Sequence, residues 1–454
     1  MSADREPPPE FRWEPQPAAE AWLREVIATT LGRLRWAPRF AGRLREEAGC
    51  RLIDLVDTVV VPAGGGWQAS ALEAGWQPRS AGDPTLVHHA GLFPDVSCQG
   101  LARDESHLYL KVEFVSDFLA ANDLSGDGVD IVGRPWAPCR HAIVERAGGA
   151  ALGIVERHGR RGFEVDGGPD IADVLEVDEM FRTRRRDFDD DDQAFDAVGR
   201  LIETGVRRIG QAFACDRFFA AERAYWEKRN DAARFQRARQ DRLGIGWANH
   251  DHHTYRCSRR HFRSLIELWE RLGLTCRERF YAGSQAGWGA QVMEDPITGI
   301  VTFNDVDLTP QEWMGDFSHD GLGETDRLKT VGLWCALHGE AVHQAGMHHL
   351  EGTFDFDALR DQLHLQGDIR TMPPFSDFPH LRQAFTEGQR WKVDPRRVED
   401  LLARGLITEK EAETFRRDGA IGSHLENLER NAGFKGFNQQ GVDEIIAATD
   451  PRRR

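Results

Sequence analysis

Apolar residues recur with two different periods along this chain, and the changes of period divide it. Near the start, Leu23, Ile27, Leu31 and Leu34 repeat every three or four residues, which predicts an amphipathic helix from about Ala18 to Trp36, before Pro38. From Cys50 to Val165 the runs become short and β-like: Leu52 to Val61, His107 to Phe114, Ala142 to Glu145, and Ala150 to Glu156 followed by Gly162 to Val165. A short helix is predicted between two of them, at Ser116 to Ala121. Helical spacing returns between Asp170 and Leu243, where Leu201, Ile202, Val206, Ile209, Phe213, Phe218, Phe219 and Trp226 support two or more helices. After Gly246 the short runs resume. Asp251 to Arg256 reads as a strand, Ser258 to Leu272 as a helix and Thr275 to Tyr281 as a strand, and Gly287 to Met293 and Gly299 to Asp305 flank the Asp295-Pro296 turn. A further unit begins at His348, extended to Phe354 and followed by a helix from Asp357 to Leu365.

This alternation predicts an α+β fold in four parts: a leader and helix over 1–48, a β-rich module over 49–169, a helical insertion over 170–245, and a second β-rich module over 246–454 that ends in a helix at Gly441 to Ala448. A strand, a helix and three strands in that order suit a curved sheet around a cleft.

Composition narrows the class of partner. The 58 Lys and Arg against 74 Asp and Glu give a formal charge of −16, which argues against a broad electrostatic footprint for nucleic acid. No run approaches the length of a membrane span, and Met1 to Pro17 lacks the basic-then-apolar pattern of a signal peptide. Seven cysteines without a CxxC pair read as reduced thiols. The expectation is a cytoplasmic protein acting on a small molecule, with neither nucleic acid nor membrane as partner.

Three short segments carry candidate chemistry: Asp251-His252-His253-Thr254, Gly346-Met347-His348-His349 and Leu425-Glu426-Asn427-Leu428-Glu429-Arg430. Two imidazoles and a carboxylate suit a facial triad on iron(II), which leaves the remaining octahedral positions for substrate and oxygen. Strand alternation turns neighbours to opposite faces, so one residue of each histidine pair faces the ion. From the residues alone, His252 and His253, His348 and His349, and Glu426 and Glu429 stay open as alternatives. The further histidines His250, His338 and His343 leave zinc or manganese open as well.

These segments and their surroundings resemble the vicinal-oxygen-chelate superfamily, and within it the 4-hydroxyphenylpyruvate dioxygenase family. Asp251-His252-His253-Thr254 is similar to its D-H-x-T strand, Gly346-Met347-His348-His349 to its G-[hydrophobic]-Q-H, and Glu426 to Asn438 to its E-[hydrophobic]-I-Q-R-x-G-x-x-G-F-G-x-G-N. Gly273 to Phe280, Met372-Pro373-Pro374, Leu401 to Leu406 and Gly148 to Gly159 follow the family order too, so the resemblance covers about half the chain. It implies tandem vicinal-oxygen-chelate (βαβββ) modules, here with a helical insertion and a helical amino-terminal extension, and metal in the carboxy-terminal module alone. It implies Fe(II) on His252, His349 and Glu426, and a dioxygenase that uses O2 to decarboxylate and hydroxylate a 2-oxo acid. It also implies association into homo-oligomers, common in the family. Departures fall on the substrate side: the family's serine near Ala290 and its Pro-x-Asn near Asn304 are missing, His348 replaces glutamine, and the strand before the third ligand looks shortened to Ala420 to Leu425. Gln291, Asn304, His348, Asn438 and Gln439 are the substrate-contact candidates, with Arg277 and Arg279 beside them. The alternative function is a non-oxidative metal-dependent isomerase or lyase of the same fold.

Overall fold

The computed structural model describes residues 12–126, 128–283, 286–323, 325, 327–438 and 450–452. At the amino end the helical spacing yields two helices, Pro17–Leu31 and Trp36–Ala48, rather than one. Pro38, expected to lie beyond the helix, falls in the first turn of the second helix, where its missing N–H breaks no intrahelical bond.

The first sheet is built from β1 (Val56–Pro62), β2 (Gln77–Pro78), β3 (Thr85–Val87), β4 (Asp95–Gln99), β5 (Ser106–Lys111), β6 (Ile131–Val132), β7 (Cys139–Ala147) and β8 (Ala150–Arg157), in the order β2-β3-β4-β1-β5-β8-β7-β6. The second contains β9 (His250–Arg256), β10 (Thr275–Tyr281), β11 (Trp288–Glu294), β12 (Val301–Asp307), β13 (His349–Thr353), β14 (Ser376–Phe378), β15 (Leu381–Phe385), β16 (Gln389–Trp391) and β17 (Ala420–Arg430). Its order is β10-β11-β12-β9-β13-β17-β15-β14, with β16 paired to β17.

Each sheet is the same construction made twice. β1 runs parallel to β4 and antiparallel to β5, which is parallel to β8; β9, β12, β13 and β17 repeat those relations. Helices Gly66–Glu73, Val115–Ala121, Phe262–Arg271 and Phe356–Gly367 follow β1, β5, β9 and β13, giving four strand-helix-three-strand units. The fold is therefore α+β, with tandem modules of vicinal-oxygen-chelate type. In the last unit β16 and helices Pro395–Ala403 and Glu409–Asp418 intervene before the closing strand.

The helices Ile171–Arg182, Asp191–Ile209, Gln211–Glu227 and Asp231–Asp241 join the two sheets. Phe218 and Phe219 pack on Trp269, and Tyr255 meets both Phe219 and Trp269, so these helices share one core with the second sheet. No helix among the described residues is long and apolar enough to cross a membrane. All seven cysteines are free, and Cys276 alone among them is exposed.

Candidate metal centre

The central strands β9, β13 and β17 bring the three sequence segments together. Parallel pairing sets His349 opposite His424 and Glu351 opposite Glu426, and antiparallel pairing sets His349 opposite Thr254. His252, His349 and Glu426 are all buried, and one ligating atom of each lies within 4.8 Å of the others. His349 Nε2 is 3.0 Å from Glu426 Oε2. Glu426 stands near the middle of an eleven-residue strand: Ala420 to Leu425 precede it, as expected, and the strand runs on through it to Arg430.

The second nitrogen of each imidazole is held. His252 Nδ1 donates to Asp251 Oδ2 at 3.0 Å and touches the Glu351 carboxylate, which leaves Nε2 for an ion. Asp251 is itself clamped by Arg430, whose Nε and Nη2 donate at 3.0 and 3.1 Å. His349 Nδ1 lies 2.9 Å from His348 Nδ1. Gln383 Nε2 donates both to Glu351 Oε1 at 2.7 Å and to Glu426 Oε1 at 3.0 Å. Outer partners of this sort fix the tautomer and aim of metal-binding rings and carboxylates.

The rejected neighbours have other employment. His253 points to the helical side, donates Nδ1–H to Val301 O at 3.1 Å and accepts from Arg223 Nη1 at 3.0 Å. Glu429 accepts from the Phe356 amide at 2.8 Å and pairs with Arg51 at 3.2 Å. A separate group, Asp191, His261 and Glu340, also clusters, but Glu340 accepts from the Ser258 amide and His261 pairs with Asp192 at 3.0 Å.

Burial drives the electrostatics. It holds the His349 pKa well below the ordinary range, with His252 and Arg256 adding to the effect, so the ring is neutral and ready to ligate. It pushes the Glu426 carboxyl up to about 7 against the hydrogen bonds from Glu351 and Gln383. Glu351 is raised by burial and by Glu426. Burial also opposes ionisation of Asp251, but Arg430 and His252 outweigh it and the pKa falls. Three carboxylates thus gather against one arginine, and two of them, Glu351 and Glu426, favour the protonated form, so that a divalent cation would enter by displacing protons. The donors are nitrogen and oxygen with no thiolate, which fits iron(II) or another ion of intermediate hardness.

Beside the set lies a cavity of about 50 Å³, lined by His252, His349 and Glu426, by the rings of Phe280, Trp288, Phe303, Phe375, Phe385 and Phe437, and by Arg256, Asp305, His348, Gln383 and Asn438. His348 and Asn438 were expected near substrate, and both line it. Gln439 lies outside the described residues. Gln291 and Asn304 are a correction: they lie off the cavity, because strand alternation turns them to the other face of the sheet. There Asn304 accepts from Trp269 Nε1 at 2.7 Å and Gln291 accepts from Ser318 at 3.0 Å. Arg277 and Arg279 also lie off the cavity, paired with Glu278 and Glu294 and with Asp316 respectively. Sequence reasoning missed Glu351, Gln383, Arg256 and Asp305. Glu351 follows His349 by two residues and Arg256 follows His252 by four, so strand periodicity places both on the ligand face. Gln383 and Asp305 come from other strands and carry no such signal.

No protein-family model matches this chain, and no curated protein matches it. Among solved structures it is similar to methylmalonyl-CoA epimerase from Mycobacterium tuberculosis, at 13% identity with a TM-score of 0.23, covering 40% of this chain and 88% of that one. It is similar to a glyoxalase-superfamily protein from Ralstonia eutropha at 12% identity and TM-score 0.32, covering 57% and 95%. A variant of 4-hydroxymandelate synthase from Streptomyces coelicolor is similar over 87% of this chain and 98% of its own, at 13% identity and TM-score 0.25.

Proposed function

We propose that this chain is a non-haem iron(II) dioxygenase that oxidatively decarboxylates and hydroxylates a 2-oxo acid. The observation that carries the reading is the converging set of His252, His349 and Glu426 on the wall of an aromatic-lined cavity. Three protein donors leave coordination positions for an oxo acid and O2. When bound, Fe(II) supplies the redox chemistry, and the protein supplies orientation and a dry site. The Arg430–Asp251 pair holds the His252 ring, Gln383 holds the Glu426 carboxylate, and the phenylalanine rings keep bulk water from the substrate.

The test is anaerobic Fe(II) titration followed by oxygen uptake with a panel of 2-oxo acids, in wild type and Glu426→Ala. The reading requires stoichiometric iron and substrate-dependent uptake, both lost in the variant. A second reading, a non-oxidative isomerase or lyase, is favoured by one observation: Glu351 sets an additional carboxylate beside His252 and Glu426, a candidate proton acceptor. That reading calls for turnover in anaerobic buffer with zinc, nickel or manganese and no oxygen uptake with any oxo acid.

A further inference from the structure

Besides the metal set, the residues lining the cavity carry a second group of polar atoms, and these make no hydrogen bond within the protein. They are Arg256 Nε and Nη1, Trp288 Nε1, His348 Nε2, Asp305 Oδ1 and Gln383 Oε1. All five residues are buried, Arg256 at 2% exposure. Folded proteins leave few such atoms bare, because a buried polar group that gives up water and gains no partner is destabilising. Several of them around one cavity mark where a ligand's polar group belongs.

Arg256 lies four residues beyond His252 on β9, so both side chains fall on one face, with roughly 13 Å of strand between their Cα atoms. Asp305 is its register partner on β12, and its Oδ2 lies 3.6 Å from Arg256 Nε, near enough to hold the guanidinium in place but too far for a hydrogen bond. The Trp334 ring lies 5.7 Å from Arg256 Cζ and backs the group from another side. Arg256 and Trp288 present three unmet N–H donors against two unmet acceptors, Asp305 Oδ1 and Gln383 Oε1. The complement is acceptor-rich, and a carboxylate answers an arginine fork best. Elsewhere the wall is apolar, with Phe280, Phe303 and Phe385, and about 50 Å³ holds a short chain rather than a bulky group.

We propose that Arg256 recognises a second carboxylate on the substrate, so that the 2-oxo acid is a short linear diacid, its oxo-acid end at His252, His349 and Glu426 and its far carboxylate at Arg256. The proposal rests on the metal reading above and adds the substrate class to it. Arg256 acts by binding and positioning; Asp305 orients it.

Calorimetry with the Mn(II)-loaded protein tests this, using linear 2-oxo diacids of increasing length and the 2-oxo monoacids of equal length. Wild type is expected to prefer one length of diacid over its monoacid by about tenfold or more, the worth of a charged hydrogen bond. Arg256→Gln is expected to erase that preference while Mn(II) affinity is unchanged, and Arg256→Lys to restore part of it. Equal binding of diacids and monoacids by wild type overturns the proposal, as does a preference that survives Arg256→Gln. If Arg256→Gln does not fold, the wild-type series and Arg256→Lys decide in the same way. Should Mn(II) binding survive Glu426→Ala, the metal reading fails, and the diacid preference measured in metal-free protein still supports or overturns the role of Arg256.

Discussion

His252 and His253 are adjacent, buried and chemically identical, yet the strand turns one toward Glu426 and His349 and the other toward Arg223. His252→Ala is therefore expected to abolish stoichiometric metal binding. His253→Ala is expected to retain it and to cost about 1–3 kcal/mol of stability, because Arg223 is left buried with an unmet donor. Metal analysis and urea unfolding of the two variants check this together. Glu426 gives a pH dependence. Its folded pKa of about 7 lies above the ordinary value of 4.5, so the metal-free folded state keeps a proton that the unfolded chain releases. That contribution to stability is fully present below pH 4.5 and is lost as pH rises through 7. The Tm difference between metal-free wild type and Glu426→Gln is expected to shift against wild type across that window. Metal must displace the same proton, so metal affinity is expected to rise as pH increases through about 7.

At the scale of elements, the approach to β13 decides whether His349 reaches the set. Residues Ala341–Ala345 form a π-turn, and Gly346 closes it at φ 77°, a left-handed conformation that favours glycine. A Cβ there would lie 2.9 Å from the Tyr225 ring, whose hydroxyl donates to Gln344 O at 2.7 Å. Gly346→Ala is expected to cost about 1 kcal/mol or more and to weaken metal binding by moving His348 and His349, while the helical signal in circular dichroism stays unchanged. Elements of this kind also mark how far the sequence could be read. The period-two runs and the strand-helix-strand order were legible, and the residue-by-residue resemblance pointed at His252, His349 and Glu426. Gln291 and Asn304 fall on the far face because the same alternation runs along β11 and β12, where Trp288, Phe303 and Asp305 take the cavity side. The long strand through Glu426 was hidden because its polar residues, Ser423, His424, Glu426 and Asn427, are buried rather than exposed, which removes the usual apolar signal. The cradle of Gln383 and Asp305 depends on which strands lie side by side, and spacing within one segment does not encode that.

For the molecule as a whole, the repeat of one construction in two sheets raises the question of whether the candidate metal set is repeated too. Aligning β1 on β9 residue for residue, and following the pairing across each sheet, puts Thr58 where His252 stands, His107 where His349 stands and Gly153 where Glu426 stands. Tyr109 takes the place of Glu351 and fills the gap: a Cβ on Gly153 would lie 2.5 Å from its ring, and Phe163 packs on it at a tilt, with centroids 4.5 Å apart. Of the donor set only the imidazole of His107 has a counterpart, and no candidate metal group among the described residues falls in the first sheet. The first sheet instead engages the helical insertion through polar contacts. His158 lies 2.9 Å from both Glu156 and Asp216, and Arg217 pairs with Asp216 at 2.7 Å, while Arg223 on the same helix reaches His253 in the second sheet. Helix Gln211–Glu227 is thus a buried charged wedge that fixes one sheet against the other, and among the described residues the set of two histidines and a glutamate at the sheet centre occurs in the second sheet. The expected stoichiometry is one divalent ion per chain, measured by elemental analysis after dialysis. His252→Ala is expected to bring it to zero, whereas His107→Ala is expected to leave it at one; a loss in the second variant would place a site in the first sheet and refute this division of labour.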